Sequence, residues 1–266
     1  MKPLTLRLKK QLRFRLDGSF LTENNFKSVS EFKKLKILYG NKLYNVAQLF
    51  SISGQNIKHI IVKASNHKID NIGYKMKDMT IVIHGNVGNS FGKEMLSGNL
   101  SVHGNTLDYA GSGLVNGTIQ IFGNTGRYLG GKPVGKNEGI VDGVIYIHGN
   151  VGDHSIQRMR RGIVVINGNL GNYCCKDMIS GSIVIKGKIG DHFCEGIKRG
   201  TIVTTQKKLA SNYLTTNNAN INFFNFFLKR LYAMIGKKVF PENFNLQRFY
   251  CKKGNEDLSE IFLIGK

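Results

Sequence analysis

A chain of 266 residues with 41% apolar content is long enough to bury a sizeable core in one or two domains. No run of eighteen apolar residues occurs, and the basic N-terminus Met1-Lys-Pro-Leu-Thr-Leu-Arg-Leu-Lys-Lys10 lacks the apolar core of a signal peptide, so a cytoplasmic protein with no membrane span is expected. The net charge of +21 favours anionic partners such as nucleic acid, an anionic membrane or an acidic subunit or cofactor; a compositional bias toward Lys, Asn, Ile and Phe is the competing reading.

In chain order, residues 1–53 form a segment without repeats. Leu4, Leu6 and Leu8 alternate with Thr5, Arg7 and Lys9 as in a half-buried strand, and Leu12, Phe14 and Leu16 continue the pattern against Arg13 and Arg15. Asp17-Gly-Ser19 is a turn signal. Ser28 to Leu38 reads as a helix with Val29, Phe32, Leu35 and Leu38 on one face. Leu43 to Ile52 reads as a short strand and a helical turn carrying Val46, Leu49 and Phe50.

From Met76 to Thr204 one unit recurs. Its clearest copies begin at Met95, Met159 and Met178 and run through a glycine and alternating apolar positions. Gly98 to Gly117, Gly143 to Gly162, Gly162 to Gly181 and Gly181 to Gly200 are each 19 residues; Gly117 to Gly143 is 26, with seven residues inserted in the stretch Gly130 to Gly139. Helix-pair repeats need more than about 30 residues. Nineteen extended residues make a closed loop of about 60 Å, enough for one coil of a parallel β-helix whose strands stack at about 4.8 Å. The expected fold is therefore an all-β core: a single-stranded parallel β-helix of about six to seven 19-residue coils over 54–206, right-handed like other parallel crossovers. An α/β N-terminal segment (1–53) and a helical, wrapping C-terminal tail (207–266) flank it.

The frame assigns inward columns: Leu100 and Val102, Ile119 and Ile121, Val144 or Ile145 with Ile147, Val164 and Ile166, Ile183 and Ile185. A further column holds Met76, Met95, Leu114, Ile140, Met159, Met178 and Ile197, which one-per-coil spacing makes core rather than a soft-metal stripe. Asn86, Asn105, Asn124, Asn150 and Asn169 follow turn glycines; Asn tolerates left-handed backbone and can hydrogen-bond along a stack. No helix follows the glycines, so the nucleotide-binding readings fail their context test. Residues 205–221 read as irregular. Phe223, Phe224, Phe227, Leu228, Leu231 and Ile235 form an apolar helical face that Asn222 caps, Gly236 ends, and the open end of the stack receives. Arg248–Cys251 and Glu260–Ile264 read either as short strands or as a wrapping tail.

Chemistry is sparse. His84, His103, Phe122, His148, Asn167 and Lys186 share an outward column; adjacent His84 and His103 could share a metal, but no carboxylate flanks them, which favours a structural or interface role. Cys175 and Cys194, one period apart, are within disulfide reach, yet two small buried thiols suit a reducing compartment better. Asp153 and Asp191 share a column separated by Asn172 and make no acid–base pair. No catalytic or metal-binding residue is assigned. Arg158, Arg160 and Arg161 occupy one corner, and Lys198 and Arg199 stand at equivalent positions two coils on. They form either a solvated corner or a docking strip for an acidic partner or polyanionic cofactor tail.

These residues carry a resemblance. The array resembles the Gly-x-Gly-x-Gly β-helix domain shared by the C-terminal region of glutamate synthase and the β-helix subunit of formylmethanofuran dehydrogenase. The second likeness spans essentially the whole chain, through Met1-Lys-Pro-Leu-Thr-Leu, Val46-Ala-Gln-Leu-Phe50, Arg158-Met-Arg-Arg-Gly-Ile-Val-Val-Ile166, Met178-Ile-Ser-Gly181 and Arg199-Gly-Thr-Ile-Val203. The tail Arg248-Phe-Tyr-Cys-Lys-Lys-Gly-Asn-Glu-Asp-Leu258 looks like the bacterial version, the β-helix subunit of the formyltransferase/hydrolase complex of methylotrophs.

The resemblance implies a non-catalytic scaffold in a hetero-oligomer of four kinds of subunit, with no nucleic acid or membrane partner. One partner transfers formyl between tetrahydromethanopterin and a methanofuran analogue, and a metal-bearing amidohydrolase-like partner releases formate. Archaeal relatives add a molybdenum or tungsten subunit. No cofactor is expected on this chain itself, except that Arg158, Arg160, Arg161, Lys198 and Arg199 would attract a polyglutamate cofactor tail or an acidic partner. The alternatives are a stand-alone polyanion-binding module, a scaffold of another multi-subunit enzyme such as glutamate synthase, and a β-helical acyltransferase, whose coils have 18 residues rather than 19. In this sequence Met79 and Leu107 stand where the repeat has glycine, and Ile156, Cys175 and Cys194 replace corner glycines, so local deviations are expected there.

Overall fold

The computed structural model describes residues 1–22, 25–206, 213–216, 221–236, 238–240, 245–251 and 258–265. The chain is mostly β, with three α-helices among the described residues. The N-terminal segment supplies β1 (Pro3–Leu8), β2 (Leu16–Asp17), α1 (Val29–Lys34), β3 (Lys36–Tyr39), β4 (Lys42–Asn45), α2 (Val46–Leu49) and β5 (Phe50–Ser53). Helix α1 starts where Ser28 accepts the Glu31 N–H at 3.1 Å, and it stops at Lys34 rather than reaching Leu38. Leu38 lies instead in an exposed hairpin strand, because Gly40 takes φ 63° and turns the chain back. The strand pattern after Leu8 also breaks: Leu12 and Leu16 are buried but Phe14 is exposed.

The array follows as β6 (Asn56–Ser65), β7 (Ile69–Asp70), β8 (Thr80–Gly85), β9 (Asn99–His103), β10 (Thr118–Ile121), β11 (Val144–Ile147), β12 (Ile163–Ile166), β13 (Ser182–Ile185) and β14 (Arg199–Thr204). From β8 to β14 successive strands pair in parallel, and paired residues lie 19 apart in sequence (Ile81↔Leu100, Val164↔Ile183) except across the insertion, where Ile119 pairs Ile145 26 residues on. Ile60 pairs Ile81 at 21. The core lies inside this β-helix-like stack. Ile81, Val102, Ile119, Ile121, Ile145, Val164 and Ile183 are fully buried, as are Met76, Met95, Leu114, Ile140, Met159 and Met178 in the next column. Each such side chain contributes about 1.5–3 kcal/mol of burial.

Both ends of the large sheet are closed by reversed strands. Its order is β15-β16-β17-β14-β13-β12-β11-β10-β9-β8-β6-β1-β5, where β15 is Tyr213–Thr216, β16 Asn245–Cys251 and β17 Leu258–Gly265. β17 continues the parallel stack on β14, then β16 and β15 run antiparallel, so 213–216 is not irregular. At the other edge β5 runs antiparallel to β1. A second sheet, β4-β3-β2-β7, stands beside that end.

Helix α3 (Ile221–Ile235) departs from the sequence expectation in two ways. Asn222 lies inside it, not at its cap, whereas Gly236 follows it at φ 74°. The helix also covers the outer face of the stack rather than its end. Phe224, Leu228 and Leu231 bury Tyr146, Val165, Val184, Val203 and Phe262 in a second apolar cluster outside the coil interior. Phe223 has a side chain outside the described set. Among the described residues, no helix is long and apolar enough to cross a membrane.

Candidate functional site

Most residues singled out for chemistry stand at or beside the corners of the stack, so the construction of those corners decides what they can do. Gly98 opens β9 at φ 97°, and a side chain there would collide with the Met79 carbonyl of the coil below. At the next corner Gly73, Gly92, Gly111 and Gly130 have φ of 60–77°, and Ile156, Cys175 and Cys194 keep the same conformation at 62°, 62° and 58°. The deviation expected at those three does not occur: coil stacking holds side-chain-bearing residues in left-handed backbone.

The asparagine column hydrogen-bonds along the stack as expected, but without left-handed backbone. None of its five residues has positive φ. Each Oδ1 accepts the backbone N–H of the equivalent residue one coil on, at 2.7–2.9 Å, from Asn86 to Lys188. A parallel ladder runs through Asp70, Asn89 and Asp108, and again through Asp153 and Asn172 to the Asp191 N–H. Asp153 is thereby occupied structurally.

His84 and His103 stack with centroids 5.0 Å apart and planes 16° apart; His103 stacks on Phe122 at 4.1 Å, and Phe122 meets His148 at a tilt with centroids 4.4 Å apart. Side-by-side rings do not converge their nitrogens on one ion, which needs ligand distances near about 2.0–2.1 Å. Burial, then the neighbouring His84, lowers the pKa of His103. Among the described residues no group of three His, Cys, Asp or Glu could hold a metal.

A second ladder was not anticipated from the sequence. Tyr109, Tyr128, His154, Tyr173 and His192 stack at 4.5–5.5 Å with planes within 14°, all in left-handed backbone. Its signal was present: these positions are spaced 19, 26, 19 and 19, like the glycines.

Cys174, Cys175 and Cys194 are free and buried. Burial, reinforced by Cys175, pushes the Cys174 thiol up to about 12. Burial and the contact with Cys194 push Cys175 upward as well. These thiols are poor nucleophiles.

The basic corner divides in two. Arg158 Nε donates to the Asn137 carbonyl, and Arg160 pairs with Glu138 at 3.2 Å, so both clamp the seven-residue insertion. Arg161, Lys198 and Arg199 are exposed and, among the described residues, make no ion pair. The clamped insertion overhangs the neighbouring corners and forms a groove of about 530 Å³ between Lys75, Leu96, Val115, Pro133 and Val141. Free guanidinium and ammonium groups two coils apart, about 10 Å, suit an extended row of carboxylates.

No curated protein matches the chain. Among solved structures the chain is similar to one from the formyltransferase/hydrolase complex of Methylorubrum extorquens, solved in complex with methylofuran. The two are 25% identical, the match covers 98% of this chain and 100% of that one, and the TM-score is 0.79. The GXGXG motif family matches residues 44–225, more than half of the sequence and all of β6 to β14. The chain belongs to the GXGXG motif family.

Proposed function

We propose that this chain is the non-catalytic scaffold, the β-helix subunit, of a formyltransferase/hydrolase complex of the formylmethanofuran dehydrogenase type, working in the cytoplasm in tetrahydromethanopterin-linked one-carbon metabolism. The observation that carries this reading is end-to-end similarity, 98% of this chain against 100% of a chain of such a complex, at a TM-score of 0.79. On this reading the parallel stack is a right-handed β-helix of 19-residue coils over 54–206, set between an N-terminal segment (1–53) and a C-terminal tail (207–266). Its partners carry formyl transfer to a methanofuran analogue and release of formate.

The basic corner supports a docking role. Exposed Arg161, Lys198 and Arg199 fit the carboxylates of a polyglutamate cofactor tail or an acidic partner, with Arg158 and Arg160 fixing the adjacent loop. The test is purification of the tagged full chain from its own cells. The expected result is co-purification of three further kinds of subunit, with formyl-transfer activity in the complex and none in the isolated chain. Recovery of the chain alone overturns the reading. In the purified complex, R161E/K198E/R199E is expected to weaken cofactor binding or assembly in a salt-dependent manner; unchanged assembly, binding and turnover remove the corner from the account.

A further inference from the structure

The four-stranded sheet at the N-terminal end carries surface that the stack does not use. Leu38 and Leu43 face each other across β3 and β4, the outermost pair of that sheet, and are 62% and 64% exposed. Phe14, 59% exposed, packs its ring over Gly40 at the hairpin turn and meets the edge of Tyr39 at 5.8 Å. The Tyr39 hydroxyl accepts the backbone N–H groups of Arg13 at 2.7 Å and Phe14 at 3.3 Å, so the Phe14 segment is fixed to the hairpin. Single exposed apolar residues are ordinary, but three large ones held together in one place mark an interaction surface. Beside them lies a depression of about 580 Å³ that Phe14, Phe20, Leu35 and Leu38 help to line.

The rim gives the occupant. Arg13, Lys36 and Lys42, each within two residues of Phe14, Leu38 or Leu43 in the chain, are exposed, as are Lys33 and Lys34 at the end of α1. Residues 1–53 hold eleven Lys or Arg against three Asp or Glu. Of the acids, Asp17 accepts the Ser19 N–H at 2.9 Å, and Glu31 accepts the Lys27 N–H at 2.7 Å. A second copy of this chain would set basic rim against basic rim.

We infer that the Phe14–Leu38–Leu43 face docks a different polypeptide, one that presents an apolar patch ringed by Asp and Glu. Within the reading of the chain as part of a complex, on which this inference rests, that polypeptide is another subunit of the same complex. The anchors are already held in place, so little ordering entropy opposes docking.

The test uses the full chain, tagged and expressed in its own cells, with wild type beside L38E/L43E and K36E/K42E. L38E/L43E is expected to recover about tenfold less partner subunit or worse, as loss of central anchors does, with an unchanged circular dichroism spectrum. K36E/K42E, which leaves the apolar anchors intact, is expected to slow association and flatten its salt dependence. If wild type recovers partners and both variants recover them equally well, this face is not the dock while the subunit reading stands. If wild type recovers no partner subunits, the subunit reading fails first, and this inference with it. A wild-type dimer that L38E/L43E converts to monomer makes a second copy the occupant and overturns the inference.

Discussion

Ile156 holds φ at 62° with its side chain fully buried, a conformation that glycine adopts freely and a β-branched residue resists. The repeat frame made that corner legible in the sequence, since Ile156, Cys175 and Cys194 stand at the glycine positions. It could not show that the backbone stays left-handed, because the compensation comes from neighbouring coils. The N–H groups of Ile156 and Cys175 each donate to the coil before, at 2.6 and 2.8 Å. The buried thiols set a pH signature. An unfolded Cys174 loses its proton near the usual thiol range, while the folded one keeps it to about 12. Between those values the folded state binds the extra proton, so its stability falls as pH rises, by about 1.4 kcal/mol per pH unit per thiol. Cys174→Ala is expected to remove one thiol's share of that slope in urea unfolding from pH 8 upward. Equal slopes in wild type and variant would falsify the assignment.

At the scale of elements, the strands announced their own environment. Asn99-Leu-Ser-Val and Thr118-Ile-Gln-Ile alternate and face solvent on one side; Val144-Ile-Tyr-Ile, Ile163-Val-Val-Ile and Ser182-Ile-Val-Ile do not, and their outward residues Tyr146, Val165 and Val184 are buried under α3. The loss of alternation was visible in the sequence. What covered the second face was not, because that contact joins residues 40 to 85 positions apart with no repeat to relate them. Phe224 is fully buried, and its ring packs at a tilt against Phe262 with centroids 5.1 Å apart. Phe224→Ala is expected to cost about 3 kcal/mol or more, which reads out as a roughly hundredfold or greater acceleration of amide exchange within 221–235. Exchange in β8–β10 should stay as it was, since contacts in a stack are nearest-neighbour. Equal acceleration throughout the sheet would mean that the helix and the whole stack unfold as one unit.

For the whole molecule, charge and topology act at different ranges. The net charge of +21 repels itself across the surface, and few acidic groups answer it. The melting temperature is therefore expected to rise as salt increases from about 10 mM to about 150 mM, where the screening length shrinks from about 30 to about 8 Å. A falling melting temperature would show that ion pairs such as Arg248–Glu260 and Arg160–Glu138 outweigh the repulsion. The stack and the chain's place in a family were readable from period and motif; the docking hairpin was not, because Leu38 reads as part of an amphipathic helix until Gly40 is seen to reverse the chain. The 26-residue coil has a consequence of its own. Its strand pairs with those above and below in unbroken register, so seven added residues lengthen the contour of that coil without changing the height of the stack. Reach and stature are uncoupled in such a molecule: an arm of any length can grow from one storey while every floor above it stays level.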